Sequence, residues 1–423
     1  MDNQYLPRLI DDKVTQSLKA FGAVCIEGAK WCGKTWTSRQ HSKSAIYLGD
    51  PSGNFQNREL MKITPHTALK GENPRLIDEW QEVPSVWDAV RHEVDIRRGK
   101  GLFILTGSAT PVQKGILHSG AGRIATIRMR PMSLFESKDS KGQVSLKSLF
   151  DNSFQSVETG KVELSTLIEL TIRGGWPGSL GLNYEQYNII PKEYIKSILN
   201  HDIYRLEGIN RNSNKMHRLL KALARNESTT ASVSTLRKDI VEYENDTIDN
   251  DTISTYLSIF ERLFLIENQQ AFSFNIRSST RIKQAEKRNF VDPSLAIATL
   301  GASYDDLIND LKTFGFMFES LCQRDLRIYA ESLGGELYHY QDYKNREIDA
   351  VIQLEDGRWG AFEIKLGANA IDDAAKSLLE IKESLNAENA KSPDILVVIC
   401  GLSNFAYQRE DGVYVVPITA LKP

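Results

Sequence analysis

Short runs of hydrophobic residues recur along the first third of the chain, separated by polar turns and by stretches with helical spacing. Runs of this length that end in turn residues predict buried strands. The predicted strands read AVCIE at 23–27, AIYLGD at 45–50, RLI at 75–77, LFIL at 102–105 and a segment within 120–130. The first third of the chain therefore predicts an α/β domain.

The pattern changes after residue 138. Residues 139–161 are rich in Ser, Asp, Gly and Lys, which predicts an exposed connection. Apolar residues then recur at helical spacing in 216–224, 233–241, 252–266 and 314–329. Near the carboxyl end, strands are predicted at 347–352, 360–365 and 395–400, with a helix at 372–385.

Composition and charge narrow the function classes. A chain of 423 residues is long enough for two or three domains, and a net charge of -3 argues against a surface coated in positive charge, so any DNA contact would be local. The four cysteines are scattered, without the paired spacing that holds zinc or that frames a disulfide-rich fold, which favours a reducing cytoplasm. No apolar run approaches the roughly 20 residues that cross a bilayer, and the start lacks a signal peptide, so we expect a cytoplasmic protein without a membrane partner.

The first candidate site follows the first predicted strand. The chain there reads Gly28, Ala29, Lys30, Trp31, Cys32, Gly33, Lys34 and Thr35, which matches G-x-x-x-x-G-K-T. Glycines let main-chain amides surround phosphates, Lys34 would reach the outer phosphates, and Thr35 would ligate magnesium. The motif predicts ATP and Mg²⁺ as ligands. Cys32 has two interpretations, a packed small side chain or a redox-sensitive thiol beside a helix start.

Acidic and hydroxyl residues follow the third and fourth predicted strands. Asp78 is predicted to hold the metal and Glu79 to polarise the attacking water, although the pair has the alternative of a solvated turn. Thr106 and Ser108 are predicted to sense the outer phosphate, or else to cap the next helix. Arg123, before the fifth strand, is the candidate arginine finger, in cis or from a neighbouring subunit, or a solvated surface arginine.

A family resemblance becomes specific at this point. The matching segments are YLPR at 5–8, GAKWCGKT at 28–35, LIDEWQEVP at 76–84, FILTGSA at 103–109, GRIATIRMRPMSLFE at 122–136, RGGWP at 173–177 and FVDPSLA at 290–296. In these segments the chain resembles a large prokaryotic family of AAA-type ATPases that carry a carboxyl-terminal domain of unknown function with a restriction-endonuclease-like end. The resemblance implies a five-stranded parallel sheet and the roles given above for Lys34, Thr35, Asp78 and Glu79. Ala29 and Lys30 depart from the Pro-Arg that is frequent in the family loop.

The three helices predicted between 216 and 266, followed by extended residues, suggest a winged helix-turn-helix whose third helix would read DNA. Against this, Asp246, Asp249 and Asp251 would oppose phosphates, or would favour the helix dipole. A basic cluster comprises Arg277, Arg281, Lys283, Lys287 and Arg288, where a wing could contact the DNA backbone. Packing against protein is the alternative role for this region.

The carboxyl-terminal third carries a second candidate site. Alternation along 360–365 sends Glu363 and Lys365 to one face, and Asp349 lies on the preceding strand. With Glu319 on the helix before them, these residues resemble the PD-(D/E)xK nuclease core, and the resemblance implies an αβββαβ layout. Asp349 and Glu363 would bind magnesium, and Lys365 would balance charge on a scissile phosphate.

Two features of this region have a simpler alternative. A lone E-x-K occurs by chance in many amphipathic strands, and the fold can be present without cleavage. Tyr338, Tyr340 and Tyr343 could stack on bases, but a tyrosine-rich strand more often packs.

The sequence as a whole predicts a P-loop, AAA-type parallel sheet, then a helical and winged-helix region, then a restriction-endonuclease-like α/β domain. The predicted boundaries are 1–138 for the ATPase, 139–208 for the linker and helical connector, 209–290 for the winged helix and 291–423 for the nuclease-like domain. We expect an Mg-dependent ATPase that couples nucleotide state to a nuclease-like, DNA-binding module, with oligomerisation open. The main alternative is an ATP-dependent adaptor with a silent module. A small-molecule kinase is a third alternative, but the sequence carries no signature of the substrate lid that a kinase would need.

Overall fold

The computed structural model describes residues 5–110, 118–204, 212–244, 247–273, 286–341, 346–387 and 390–423. The chain forms two compact units. The first comprises residues 1–131, 200–211 and 258–265, and the second comprises residues 132–199, 212–257 and 266–423. Each unit therefore contains segments that are distant in the sequence, unlike the four consecutive domains predicted above.

A five-stranded sheet forms the centre of the first unit. Its strands are β1 (Ala23–Gly28), β2 (Ser44–Tyr47), β3 (Arg75–Asp78), β4 (Phe103–Gly107) and β5 (Ile124–Met129). They pair in parallel in the spatial order β2-β3-β4-β1-β5. The predicted α/β fold with a parallel sheet is confirmed.

Helices cover both faces of this sheet. They are α1 (Asp11–Ala20), α2 (Lys34–Gln40), α3 (Ser52–Ile63), α4 (Pro65–Ala68) and α5 (Val86–Arg97). On β1, Cys25 belongs to one buried cluster with Val90 of α5, whereas Ile26 belongs to a second cluster with Val14 of α1. Because successive side chains point to opposite faces, a strand covered on both sides is apolar throughout. This is why β1 could be predicted from the sequence.

The second unit contains most of the remaining helices. In chain order these are α6 (Leu146–Phe150), α7 (Leu164–Arg173), α8 (Ile189–Ser197), α9 (Ser213–Arg225), α10 (Val233–Tyr243), α11 (Asn250–Arg262), α12 (Pro293–Leu300), α13 (Tyr304–Asn309), α14 (Leu311–Ser332) and α15 (Ile371–Ala387). The last residues of α11, from Ser258 onward, belong to the first unit. Throughout the part of the chain that the structure describes, every helix is too short or too polar to span a bilayer.

The later strands of the chain build a larger sheet and two small ones. They are β6 (Val144–Ser145), β7 (Val157–Glu158), β8 (Ile266–Gln269), β9 (Lys287–Phe290), β10 (Glu336–Gln341), β11 (Glu347–Gln353), β12 (Trp359–Lys365), β13 (Ile395–Cys400), β14 (Phe405–Gln408), β15 (Tyr414–Pro417) and β16 (Leu421–Lys422). The seven-stranded sheet has the order β10-β11-β12-β13-β15-β14-β7. Strands β10, β11 and β12 are antiparallel, and β13 adds to β12 in parallel.

The order of elements from α14 to β13 is helix, three strands, helix and strand. The predicted helices at 314–329 and 372–385 and the predicted strands at 347–352, 360–365 and 395–400 are therefore confirmed. Helix α15 packs Leu378 and Ile381 into the same buried cluster as Val351 of β11 and Val398 of β13. Trp359 and Ala361 belong to the same cluster, so the helix packs on β12, the strand that carries two of the predicted site residues.

The helices predicted between 216 and 266 are present as α9, α10 and α11, and a hairpin of β8 and β9 follows them. Helix α11 is divided between the two units, and the winged-helix arrangement of the three helices stays a prediction. Asp249 acts at the amino end of α11, where its Oδ1 accepts a hydrogen bond from Thr252 N at 2.7 Å. Asp246 lies outside the described residues.

A buried ionic network joins the segments MSLFE at 132–136, RGGWP at 173–177 and FVDPSLA at 290–296 inside the second unit. Arg324 of α14 donates to Asp292 Oδ2 at 2.8 Å and to Asp325 Oδ1 at 2.7 Å. Main-chain amides donate further hydrogen bonds to the two carboxylates: Gly175 N donates to Asp292 and Leu134 N donates to Asp325, each at 2.9 Å. Buried charges are tolerated when they are paired and hydrogen-bonded in this way. These segments therefore serve the core of the second unit.

Gly175→Ala is expected to lower the free energy of unfolding by about 3 kcal/mol or more, because the added Cβ would lie 2.1 Å from the main-chain oxygen of Met132. The matched control is Gly315→Ala in α14, where nothing lies within 4 Å of the added Cβ. There alanine is expected to be neutral or stabilising by up to about 1 kcal/mol. Urea denaturation of both variants measures the difference, and equal destabilisation would contradict this packing.

Candidate functional site

The phosphate-loop candidate spans the turn between β1 and α2. Gly33 adopts φ 105° and Trp31 φ 63°, left-handed conformations that turn the chain back towards the sheet. Lys34 is buried, and its Nζ donates to the main-chain oxygens of Gly28 at 3.0 Å and Ala29 at 2.8 Å. The ammonium group therefore closes the loop from within.

The other side chains of the loop point away from its centre. Lys30 Nζ pairs with Asp202 Oδ1 at 2.5 Å, and half of Trp31 is exposed. Cys32 is buried, and its Sγ lies 3.7 Å from Met129 O. The packing interpretation of Cys32 therefore fits the structure.

Three side chains meet at the carboxyl edge of the sheet beside the loop. Asp78 Oδ1 accepts hydrogen bonds from Thr35 Oγ1 at 2.8 Å and from Thr106 Oγ1 at 2.7 Å. Burial raises the pKa of Asp78, and the hydrogen bonds from Thr106 and Thr35 oppose that rise. A carboxylate and a hydroxyl at this distance are oxygen donors of the kind that Mg²⁺ prefers, so these residues fit a nucleotide-bound magnesium ion.

Glu79 is held next to Asp78 in a left-handed conformation, at φ 58°. Its amide donates to Thr106 Oγ1 at 3.0 Å, and its Oε2 accepts from Ser108 Oγ at 2.8 Å. Gln81 donates to the same carboxylate oxygen and also to Ser108 Oγ. The structure thus brings together Asp78, Glu79, Thr106 and Ser108. Gln81 was missed, although its place two residues after Glu79 was a usable signal.

Arg123 lies away from this edge. It precedes β5, whose first residue pairs with the first residue of β1, whereas the loop begins at the last residue of β1, Gly28. The length of the strand therefore separates Arg123 from the loop. Its Nε donates to Asp95 Oδ1 at 2.9 Å, and 46% of its side chain is exposed. The prediction of an arginine finger in cis is wrong because the strands are parallel, and the role in trans stays a prediction.

The second candidate site lies where β11 and β12 run side by side. Lys365 Nζ is 2.6 Å from Glu363 Oε2 and 3.3 Å from Asp349 Oδ2. Asp349 Oδ2 also accepts a hydrogen bond from Ile364 N at 2.8 Å. The predicted convergence of Asp349, Glu363 and Lys365 is therefore present in the structure.

Electrostatics in this cluster follow from burial and close charges. Burial, together with the neighbouring Asp349, raises the pKa of Glu363 to about 8. Burial lowers the pKa of Lys365, but the attraction of Asp349 and Glu363 outweighs it, so its pKa is raised. Two adjacent carboxylates that share one ammonium group offer hard oxygen donors, so they fit a divalent cation.

Glu319 of α14 faces the same region but has a different partner. Its Oε1 lies 2.5 Å from Nζ of Lys287, and the two side chains are 15% and 8% exposed. Burial raises the pKa of Glu319 to about 7, against the opposing attraction of Lys287. The prediction that Lys287 belongs to an exposed basic cluster is wrong, because its charge is buried against Glu319.

Of the remaining basic and aromatic candidates, Arg288 and Tyr338 have partners within the part of the chain that the structure describes. Arg288 donates to Ala231 O at 2.7 Å. Tyr338 is buried and its ring lies 5.7 Å from that of Phe272, which fits the packing interpretation. Arg277, Arg281, Lys283 and Tyr343 lie outside the described residues.

Comparison with family models identifies three regions. Residues 20–138 match the model described as AAA domain. Residues 164–306 and 314–421 match two domains of unknown function, DUF8612 and DUF4143. Together with the parallel sheet and its loop, the first match supports an AAA-type P-loop ATPase-like domain. Neither of the other descriptions names an activity.

No curated protein matches the chain. Among solved structures, the chain is similar to the Walker-type ATPase of Pyrococcus abyssi, with a TM-score of 0.41 and 13% identity over 68% of this chain and 94% of that chain. It is also similar to the ORC1 protein of Aeropyrum pernix in complex with DNA, with a TM-score of 0.27 and 12% identity over 73% of this chain and 97% of that chain. TM-scores this low do not establish a shared fold.

Proposed function

We propose that the chain binds ATP with magnesium at the loop from Gly28 to Thr35, hydrolyses it, and couples the nucleotide state to DNA cleavage at the second site. The observation that supports the nucleotide half best is the hydrogen bond of 2.8 Å between Thr35 and Asp78, next to the buried amine of Lys34. These three groups are the ones that a nucleotide–magnesium complex requires at one sheet edge.

Each residue of the nucleotide site has a role set by its contacts. Amides of residues 28–35 cradle the phosphates, and Lys34 turns its ammonium group from the loop carbonyls to the outer phosphates. Thr35 and Asp78 hold magnesium, which neutralises charge on the phosphate oxygens when bound. Glu79 orients the attacking water, and Ser108 fixes the Glu79 carboxylate through their hydrogen bond of 2.8 Å.

At the second site, Asp349 and Glu363 hold a divalent cation, which would stabilise charge on a scissile phosphate. Lys365 contacts both carboxylates, so it lies within reach of any phosphate oxygen bound beside them. Its raised pKa keeps it an ammonium group at neutral pH. Glu319 adds a carboxylate from α14 next to these residues. DNA is the proposed substrate.

Two contacts within the first unit support the proposed coupling. Lys30 of the phosphate loop pairs with Asp202. Thr110, shortly after β4, exchanges hydrogen bonds with Arg262, whose main-chain oxygen accepts at 2.9 Å and whose Nε donates at 3.1 Å. Asp202 and Arg262 lie in segments that are continuous in sequence with helices of the second unit. A nucleotide that biases these contacts can shift a two-state equilibrium.

The proposal keeps the boundaries 1–138 for the ATPase domain and 139–208, 209–290 and 291–423 for the following regions. DNA contact through the winged-helix-like region and association of several chains remain part of it. Association would allow Arg123 to act on a neighbouring chain.

Arg123→Ala is expected to leave the dissociation constant for ATP within about twofold of the parent, because Arg123 lies at the opposite edge of the sheet from Gly28. Equilibrium dialysis with labelled ATP measures this constant. Turnover that falls in the variant, and depends on protein concentration in the parent, would identify a finger in trans. A large loss of affinity would contradict the placement of Arg123.

The proposed coupling is tested by ATP turnover with and without double-stranded DNA, at several protein concentrations. We expect DNA to raise turnover, and ATP to change the rate of Mg-dependent cleavage of the same DNA. ATP turnover without any cleavage of DNA would favour the rival function, an ATP-dependent adaptor whose second module is silent.

A further inference from the structure

The hairpin of β8 and β9 delivers a buried lysine to the second candidate site. Lys287 opens β9 and pairs with Gln269 across the antiparallel hairpin. Its Nζ lies 2.5 Å from Oε1 of Glu319, and 8% of the Lys287 side chain is exposed. One turn along α14 from Glu319, Gln323 Nε2 donates to Asp349 O at 2.6 Å, so the pair of Lys287 and Glu319 lies beside β11. The site thus contains a second lysine, supplied from outside the residues 291–423.

The position of Lys287 is set by main-chain contacts. Just after β8, Phe272 N donates to His339 O at 2.6 Å and His339 N donates to Gln270 O at 3.1 Å, which joins the hairpin to β10. At the other end of β9, the amide of Phe290 donates to Glu227 Oε1 at 3.0 Å. Held by main-chain hydrogen bonds at one end and by the Glu227 carboxylate at the other, the hairpin brings Lys287 to one place beside Glu319.

The charges divide into two groups. Lys287 contacts Glu319, so that with both groups ionised this pair sums to zero. Lys365 contacts Asp349 and Glu363, and when all three groups are ionised this group keeps one negative charge. Among the residues that the structure describes, no three His, Cys, Asp or Glu side chains are grouped to hold a metal ion. Glu319 is therefore not gathered with Asp349 and Glu363 into a set of three ligands.

We propose that Lys287 is a positioning residue of the second site: it supplies a fixed positive charge at Glu319, so that the site takes a single divalent cation, at Asp349 and Glu363, and Glu319 is not a ligand. This inference rests on the proposed nuclease-like function. It states that the site holds one cation and that the charge of Lys287 takes the place of a second cation. It also makes the hairpin part of the site.

The test measures Mn²⁺ binding through the electron paramagnetic resonance signal of the free ion. It uses the full chain without nucleotide, in an Asp78→Ala background that removes the metal ligand of the phosphate-loop site. We expect one Mn²⁺ per chain, with affinity at least about tenfold weaker in Asp349→Asn. Glu319→Gln should also weaken binding about tenfold or more, because it leaves the Lys287 charge uncompensated near Asp349.

The double variant Lys287→Met, Glu319→Gln separates the two roles of Glu319. It removes both buried charges together, so no unpaired charge remains to prevent folding, and Mn²⁺ affinity should return to within about threefold of the background protein. Lys376→Met, on an exposed side chain of α15, serves as the matched control and should change nothing. Thermal unfolding by circular dichroism checks that each variant folds.

Two results would overturn the inference while leaving the metal site in place. A double variant that stays at least tenfold weaker than the background protein would make Glu319 a ligand, and binding that is insensitive to both Glu319→Gln and the double variant would place the pair outside the site. Mn²⁺ binding that is absent, or unaffected by Asp349→Asn, would instead refute the proposed metal site itself, and the inference with it.

Discussion

Lys34→Ala is expected to weaken ATP binding by at least about 100-fold. Lys34 is buried, and among the described residues its ammonium group donates to two main-chain oxygens of the loop, at 2.8 and 3.0 Å. A hydrogen bond to an ionised partner is worth about 1.5–3 kcal/mol, and the ammonium group is proposed to reach more than one phosphate oxygen. Equilibrium dialysis with labelled ATP and Mg²⁺ measures the loss.

The matched control is Lys30→Ala in the same loop. The Lys30 side chain pairs with Asp202 at 2.5 Å rather than with the loop carbonyls, so its removal should change ATP affinity by less than about fivefold. Equal losses in the two variants would mean that ATP binding depends on the general charge of the loop, and the role given to Lys34 would fail.

Asp349→Asn and Lys365→Ala are expected to reduce Mg-dependent DNA cleavage by at least about 100-fold, the scale of losing one group that stabilises developing charge. Asp349 contacts both Lys365 and the amide of Ile364, at 3.3 and 2.8 Å. Asparagine keeps an oxygen for that amide but removes the charge that binds a cation. Cleavage of a labelled duplex, with and without chelator, measures the effect.

Asp356→Ala is the matched control for cleavage. Asp356 lies in the turn between the same two strands, where it pairs with Arg358 at 2.8 Å on the protein surface. It should leave cleavage within about twofold of the parent, since surface pairs contribute little to stability. Cleavage that survives in Asp349→Asn would come from a contaminant or from another site.

The nucleotide site was predictable because local sequence order decides its geometry. A buried strand that ends in a glycine-rich turn places residues 28–35 at one edge of the sheet, and the next strands end in Asp78 and Thr106 at the same edge. The same reasoning corrects Arg123, which precedes its strand and so lies at the opposite edge. Gln81 could also have been found from its spacing to Glu79.

The second site was predictable in part. Alternation along β12 put Glu363 and Lys365 on one face, and the antiparallel neighbour supplied Asp349. The partner of Glu319 was not predictable, because Lys287 lies 32 residues earlier within a run of basic residues that reads as solvated surface. Burial of that lysine depends on tertiary packing of the hairpin.

The core of the second unit shows the same limit of prediction from sequence. The Arg324 and Asp325 pair reads as two surface charges on a helix, and nothing in its local pattern indicates Asp292 as a partner. Long-range hydrogen bonds to Gly175 and Leu134 decide that these charges are buried. Periodicity reports which face of an element is apolar, but not which charged residues are neutralised across a fold.

The central claim is that the loop from Gly28 to Thr35 binds ATP with magnesium. Isothermal titration calorimetry of the folded full chain with ATP and Mg²⁺ tests it most directly. The account predicts saturable heat with one site per chain, which disappears in Lys34→Ala. Folded protein that releases no heat with ATP, or the same heat in the parent and in Lys34→Ala, would contradict it.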